Sequence, residues 1–90
     1  MKVKNIYYSD DFMTKFLSLP KTIQKKSIKA EQFFRDNPFH PGLRLHKLEG
    51  KLKGAWSISV DYKYRIIFKP LDEGVILFAD IGLHAIYEKY

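Results

Sequence analysis

Ninety residues without a cysteine make a single domain, 1–90, that must be held by its core, since neither a disulfide framework nor a thiolate metal site is available. A formal net charge of +6, from 16 Lys and Arg against 10 Asp and Glu, favours anionic partners such as nucleic acid, an acidic protein or a membrane surface, although solubility alone is also served by such a surplus. No apolar run reaches the length of a membrane span and the N-terminus has no signal-peptide apolar region, so the expectation is a soluble, cytoplasmic protein.

In chain order, KVKNIYY (2–8) reads as a short strand. SDDFMTKFLSL follows as a helix: Ser9 is its cap, Asp10 and Asp11 suit the positive end of the helix dipole, and Phe12, Phe16 and Leu19 recur at helical spacing. Pro20 stops that helix and fits the first position of the next, which runs to Asp36. Leu19, Ile23, Ala30 and Phe34 form its apolar stripe, and Lys21, Lys25 and Lys29 a cationic one. NPFHPG (37–42) is a loop by its turn chemistry.

Beyond the loop the period changes to two. Residues 43–48 are compatible with a strand, and Gly50 and Gly54 bracket a turn. Trp56, Ile58, Val60 and Tyr62 alternate with Ser57, Ser59, Asp61 and Lys63; YRIIFK (64–69) and VILFAD (75–80) are strands joined by an LDEG turn. Such close spacing requires antiparallel neighbours. The fold class is α+β: an N-terminal strand, a two-helix hairpin and an antiparallel sheet of three to four strands. Alternation turns Ile58, Val60, Ile66 and Phe68 toward the helices, leaving Ser57, Ser59, Asp61 and Arg65 on an uncovered, polar face.

Arg44, Lys47, Lys51 and Lys53 crowd one segment whose single acid is Glu49. With Trp56 and tyrosines nearby, this is a mixture that grips phosphates and stacks on bases, and equally one that makes a solvated turn beside a core tryptophan. His40, His46 and His84 are the side chains suited by type to proton transfer at physiological pH. No metal-ligand spacing joins them, and neither a nucleophile motif nor a phosphate-cradling glycine loop is present, so no cofactor or metal is expected. Two histidines and an arginine suit one metal-free reaction. A base removes the proton of an RNA 2′-OH, an acid protonates the departing 5′-oxygen, and a cation stabilises the phosphorane, provided the three converge on one face.

The order of elements, the LPKTIQKK helix start, H-x-L-x-G-x-L-x-G-x-W-S, YRIIF and the closing DIGLHAIYEKY together resemble the RelE/ParE toxin superfamily, nearest to its YafQ- and YoeB-like mRNA interferase branch. The resemblance implies a catalytic position at His46, a phosphate-stabilising arginine at Arg65, a second catalytic histidine at His84 and an aromatic at Tyr87 that orients the nucleophile or stacks on a base. It assigns Trp56 a structural part. Arg44, Lys47, Lys51, Lys53, Asp61 and Lys63 become the candidate RNA contacts, Asp61 standing near the place of an inter-strand aspartate in YafQ. The chain departs from RelE in having Ser57 and Ser59 where RelE has lysines, and from YafQ in having Ala85 after the last histidine.

The function so implied is that of a type II toxin: a metal-independent, ribosome-dependent mRNA endoribonuclease with His46 as base and His84 as acid, or the two exchanged. Its partners would be mRNA in the ribosomal A site with contacts to 16S rRNA, a cognate antitoxin that covers the groove, and operator DNA through the antitoxin only. The superfamily also contains gyrase poisons and supports non-catalytic, protein-binding members, which are the alternative.

Overall fold

The computed structural model describes residues 1–84. Tyr87 lies outside them. Strand β1 (Asn5–Tyr8) leads into helices α1 (Asp10–Ser18) and α2 (Lys21–Asp36), followed by β2 (His46–Lys47), β3 (Trp56–Ser59), β4 (Tyr64–Pro70) and β5 (Val75–Leu83). The strands form one sheet in the order β1-β5-β4-β3-β2. Neighbours from β2 to β5 are antiparallel, whereas β1 runs parallel to β5, with Asn5 opposite Val75 and Tyr8 opposite Phe78. Both outcomes follow from connection length. Tight turns join β3, β4 and β5, whereas the helices carry the chain from β1 to β2 at the far edge of the sheet, so that β1 meets its parallel neighbour β5 only after every other element has intervened.

Ser9 caps α1 by accepting the Phe12 N–H at 3.0 Å, and its own hydroxyl donates to the Ala79 carbonyl on β5 at 2.7 Å. That second bond fixes the helix to the sheet. Pro20 takes the cap position of α2 rather than its first turn, and its carbonyl accepts the N–H groups of Ile23 and Gln24. The buried face of α2 is Gln24, Ser27, Ala30 and Phe34: it keeps Ala30 and Phe34 of the expected stripe, but in the N-terminal half Gln24 and Ser27 are buried while Ile23 and Leu19 are only half-buried. Gln24 is admitted because its amide donates to the carbonyls of Leu17 and Leu19, which closes the link between the helices. Lys21, Lys25 and Lys29 are exposed, as the cationic stripe implies.

Between helices and sheet, Phe34, Phe68 and Phe78 are fully buried and mutually packed, with ring centroids 4.8, 5.7 and 6.3 Å apart. Replacing any of them by alanine is worth about 3–5 kcal/mol. Ile58, Ile66, Ile76 and Ile81 complete this cluster, and Trp56 and Val60 pack against it half-buried. Trp56 is therefore a core residue and not a stacking platform.

The opposite face of the sheet departs from the expectation of an open, polar surface. Ser57 is 2% exposed and Ser59 6%. In YRIIF both Ile66 and Ile67 are apolar, on opposite faces, so Ile67 needs a cover of its own. Leu48 and Ala55 supply it, with Leu52 half-buried beside them, as residues 48–55 fold back over the sheet. Gly50 at φ +68 and Gly54 at φ +93 make the bends. The strand expected at 43–48 also shortens. A turn of 3-10 helix occupies Pro41–Leu43, Arg44 takes a left-handed backbone at φ 48, and only His46 and Lys47 pair with β3. The last strand extends past Asp80 to Leu83, with a bulge that leaves Ala79 unpaired between Phe78 and Asp80.

Candidate functional site

The folded-back segment does more than cover Ile67. Between it and the sheet lies a cleft of about 520 Å³, lined by Arg44, His46, Leu48, Glu49, Lys51, Leu52, Ser57, Arg65 and His84. Strand register explains who meets there. His46 is opposite Ser57, and Ser57 is opposite Ile67, so these three form one cross-strand row on the face away from the helices. Two residues along β4, Arg65 rises on the same face, opposite Ser59 on one side and Gly82 on the other. Gly82 adds no side chain beside the guanidinium, so that end of the floor stays low. His84 follows directly on β5, and its N–H donates to the Lys63 carbonyl at 2.8 Å, which continues the ladder by one residue.

Arg65 is held from its own hairpin. Its Nη1 donates to the carbonyl oxygens of Asp61 and Tyr64, the latter at 3.1 Å. The turn that presents those carbonyls is organised by Asp61, whose Oδ1 accepts the N–H groups of Lys63 and Tyr64, both at 2.8 Å, while Oδ2 faces Lys26 at 3.5 Å. Partial burial alone would raise the Asp61 carboxyl. The N–H groups of Tyr64 and Lys63, with Lys26, outweigh that and hold it below its ordinary value. Asp61 thus shapes the hairpin that carries Arg65, outside the cleft.

The sequence-based candidates separate accordingly. His46, Arg65, His84, Arg44 and Lys51 line one cleft. Lys47 does not, because it shares a row with Trp56 and belongs to the other side of the pleat. Lys53 is exposed on the outer turn, and Lys63 lies with its Nζ 5.6 Å from the Tyr62 ring centroid. His40 is accounted for by structure: its Nδ1 accepts the Gly42 N–H at 3.0 Å and its ring stacks on Phe33 with centroids 4.6 Å apart. Glu49, Leu52 and Ser57 are cleft residues that pattern reading did not select. The signal for Leu52 was the pairing of an apolar residue with two glycines in a charged segment, which indicates a loop that packs.

Chemically the cleft offers two imidazoles, a guanidinium, further cations at Arg44 and Lys51, and one carboxylate at Glu49. Imidazole is the side chain best suited by type to take and give protons, and the cations suit a phosphodiester. Among the described residues no group of three His, Asp or Glu side chains is arranged to hold a metal ion.

Residues 5–84 match the family described as the RelE-like toxin of the type II toxin–antitoxin system HigB. No curated protein sequence matches the chain. Among solved structures, YafQ from E. coli BL21(DE3) superimposes with a TM-score of 0.73 at 23% identity, over 91% of this chain and 94% of that one. A YoeB/ParE toxin from Agrobacterium tumefaciens gives 0.76 at 13% identity, over 90% and 99%. The E. coli DinJ-YafQ toxin–antitoxin complex gives 0.70 at 22%, over 94% and 96%.

Proposed function

Since the chain belongs to the family of RelE-like toxins of type II toxin–antitoxin systems, we propose that it is an endoribonuclease that cuts mRNA in the ribosomal A site. The observation that carries this reading is the meeting of His46, Arg65 and His84 in one cleft together with Arg44 and Lys51. One histidine, assigned to His46, takes the proton of the 2′-OH. The freed oxygen attacks phosphorus, the bond to the 5′-oxygen breaks, and His84 donates a proton to that oxygen. The products are a 2′,3′-cyclic phosphate and a 5′-hydroxyl, so no water and no metal enters the step. Arg65, fixed through Asp61 and Tyr64, faces the charge that builds on the phosphorane. The roles of the two histidines exchange without changing the balance. Tyr87 orients the nucleophile or stacks on a base. Lys47, Lys53 and Lys63, outside the cleft, contact 16S rRNA.

The partner in the cytoplasm is a cognate antitoxin. The DinJ-YafQ relative is a toxin–antitoxin complex, and a cleft with this surplus of cations suits an acidic antitoxin segment that would also carry the pair to operator DNA. The deciding experiment is growth and transcript mapping after induction of the His46→Ala/His84→Ala double variant. Restored growth with intact transcripts is expected. Full toxicity with undamaged mRNA and damaged DNA would replace the nuclease by a gyrase-directed toxin.

A further inference from the structure

Beside the cleft is a second, smaller hollow of about 160 Å³, lined by Gly42, Arg44, Ser59, Asp61 and Tyr62. It adjoins the first, because Arg44 lines both and Arg65 of the cleft donates to the Asp61 carbonyl at its rim. Two features of this hollow have no use in the fold. Tyr62 is 77% exposed at the tip of the β3–β4 hairpin, an unusual place for a large aromatic ring, and the Lys63 ammonium sits 5.6 Å from its centroid. Ser59 is 6% exposed, and its hydroxyl has no hydrogen-bond partner among the described residues. A buried hydroxyl without a partner is unfavourable in the free protein, which is the arrangement of a group awaiting a ligand.

We propose that this hollow binds the nucleotide next to the one cut, with its base stacked on Tyr62 and the intervening phosphate held between Arg44 and the Ser59 hydroxyl. The inference rests on the reading of the adjoining cleft as an RNA site. A single-stranded nucleic acid fits better than a folded protein, since an exposed ring, a bridging guanidinium and a space of this size match one base and one phosphate. The nearby carboxylate does not oppose an anion strongly. Asp61 is already engaged by two backbone N–H groups and faces Lys26. Arg44 reaches both sites because its left-handed backbone turns it away from the line of β2, and its N–H is tied to the Pro41 carbonyl at 3.2 Å. Held there, one guanidinium spans two consecutive positions of an extended strand.

The test is the affinity of a fluorescently labelled single-stranded octanucleotide with 2′-O-methyl sugars, which binds without being cut, and of the same strand made without bases. Tyr62→Ala is expected to weaken binding of the octanucleotide roughly five- to 150-fold, the worth of one base–aromatic stack. Tyr62→Phe retains the affinity to within about twofold, and the strand without bases binds wild type and Tyr62→Ala alike. Ser59→Ala weakens RNA binding while its melting temperature is unchanged or higher, because it removes an unsatisfied group. If Tyr62→Ala matches wild type on the octanucleotide, or loses as much on the strand without bases, the subsite does not exist and the cleft reading is untouched. A wild-type protein that binds neither strand at low salt overturns the subsite, and the cleft reading then stands or falls on the cutting of mRNA on programmed ribosomes. Tyr62-dependent binding with natural mRNA left uncut on programmed ribosomes keeps the subsite and removes the nuclease.

Discussion

At the residue scale the cleft depends on how few groups perform each task. With His46 and His84 as the proton-transferring pair, the single-turnover rate follows a bell-shaped pH profile, one limb per histidine. His46→Ala and His84→Ala each lose roughly two to four orders of magnitude, and because both side chains are exposed neither loses the fold. A loss confined to binding, with the limiting rate unchanged, would exclude either as acid or base. Asp61 tests a different link, from turn to site. Its folded pKa lies below the unfolded one, so its contribution to stability is present above about pH 4 and is lost as pH falls through the native value. Asp61→Asn keeps an acceptor for the N–H groups of Lys63 and Tyr64 but cannot titrate, and its acid unfolding curve is expected to be flatter than that of wild type. Asp61→Ala leaves those N–H groups to solvent, costs about 1–3 kcal/mol and lowers the rate through a displaced Arg65. Parallel acid limbs for wild type and Asp61→Asn would show that the carboxylate charge is immaterial.

Among the elements, the segment 48–55 decides whether there is a cleft at all. Its two glycines bend the chain so that Leu48, Leu52 and Ala55 meet Ile67, and the wall so formed faces His46 and Arg65. No atom lies within 4 Å of a methyl group built on Gly54, yet its φ of +93 is one that side chains avoid. Gly54→Ala therefore costs about 1–2 kcal/mol from backbone conformation alone, with no clash to relieve. A denaturation midpoint equal to wild type would show that the loop adapts. This segment also marks where pattern reading stops. The helices, with Ser9 as cap and Pro20 between them, and the alternation within Trp56–Ser59 and from Tyr64 to Phe68 were legible because each repeats a period over several residues, whereas residues 60–63, expected to continue the first strand, form the turn. That His46 and Arg65 share a face was legible only as a condition of the chemistry, and the pairing of Arg65 with Gly82 lay beyond the strand expected at 75–80. The burial of Ser57 and Ser59 was not, since it depends on a non-periodic loop that closes over Ile67, and the parallel pairing of β1 with β5 depends on contacts across most of the chain.

For the whole molecule, the question is whether a net charge of +6 acts as one diffuse field or as separate surfaces. The structure divides it. Arg44 and Lys51 line the cleft, Lys47 and Lys53 stand outside it, and Lys21, Lys25 and Lys29 are exposed on α2, beyond the helical layer. Each phosphate contact to a single strand contributes about 0.7 to the slope of log affinity against log salt, whereas a distant charge is screened within a Debye length of about 10 Å. The Arg44→Gln/Lys51→Gln variant is thus expected to bind a short RNA more weakly with a slope shallower by about 1.4, the sum for two contacts. Lys21→Gln/Lys25→Gln/Lys29→Gln removes more charge yet leaves the slope as it was. Lys47→Gln/Lys53→Gln separates short RNA from the ribosome: with these lysines proposed to meet only the larger partner, affinity for the oligonucleotide is expected to hold while binding to programmed ribosomes falls. Losses from all three variants that follow only the number of charges removed, largest for the α2 triple variant, would mean that attraction is a property of the surplus and that the cleft has no privileged hold on phosphate.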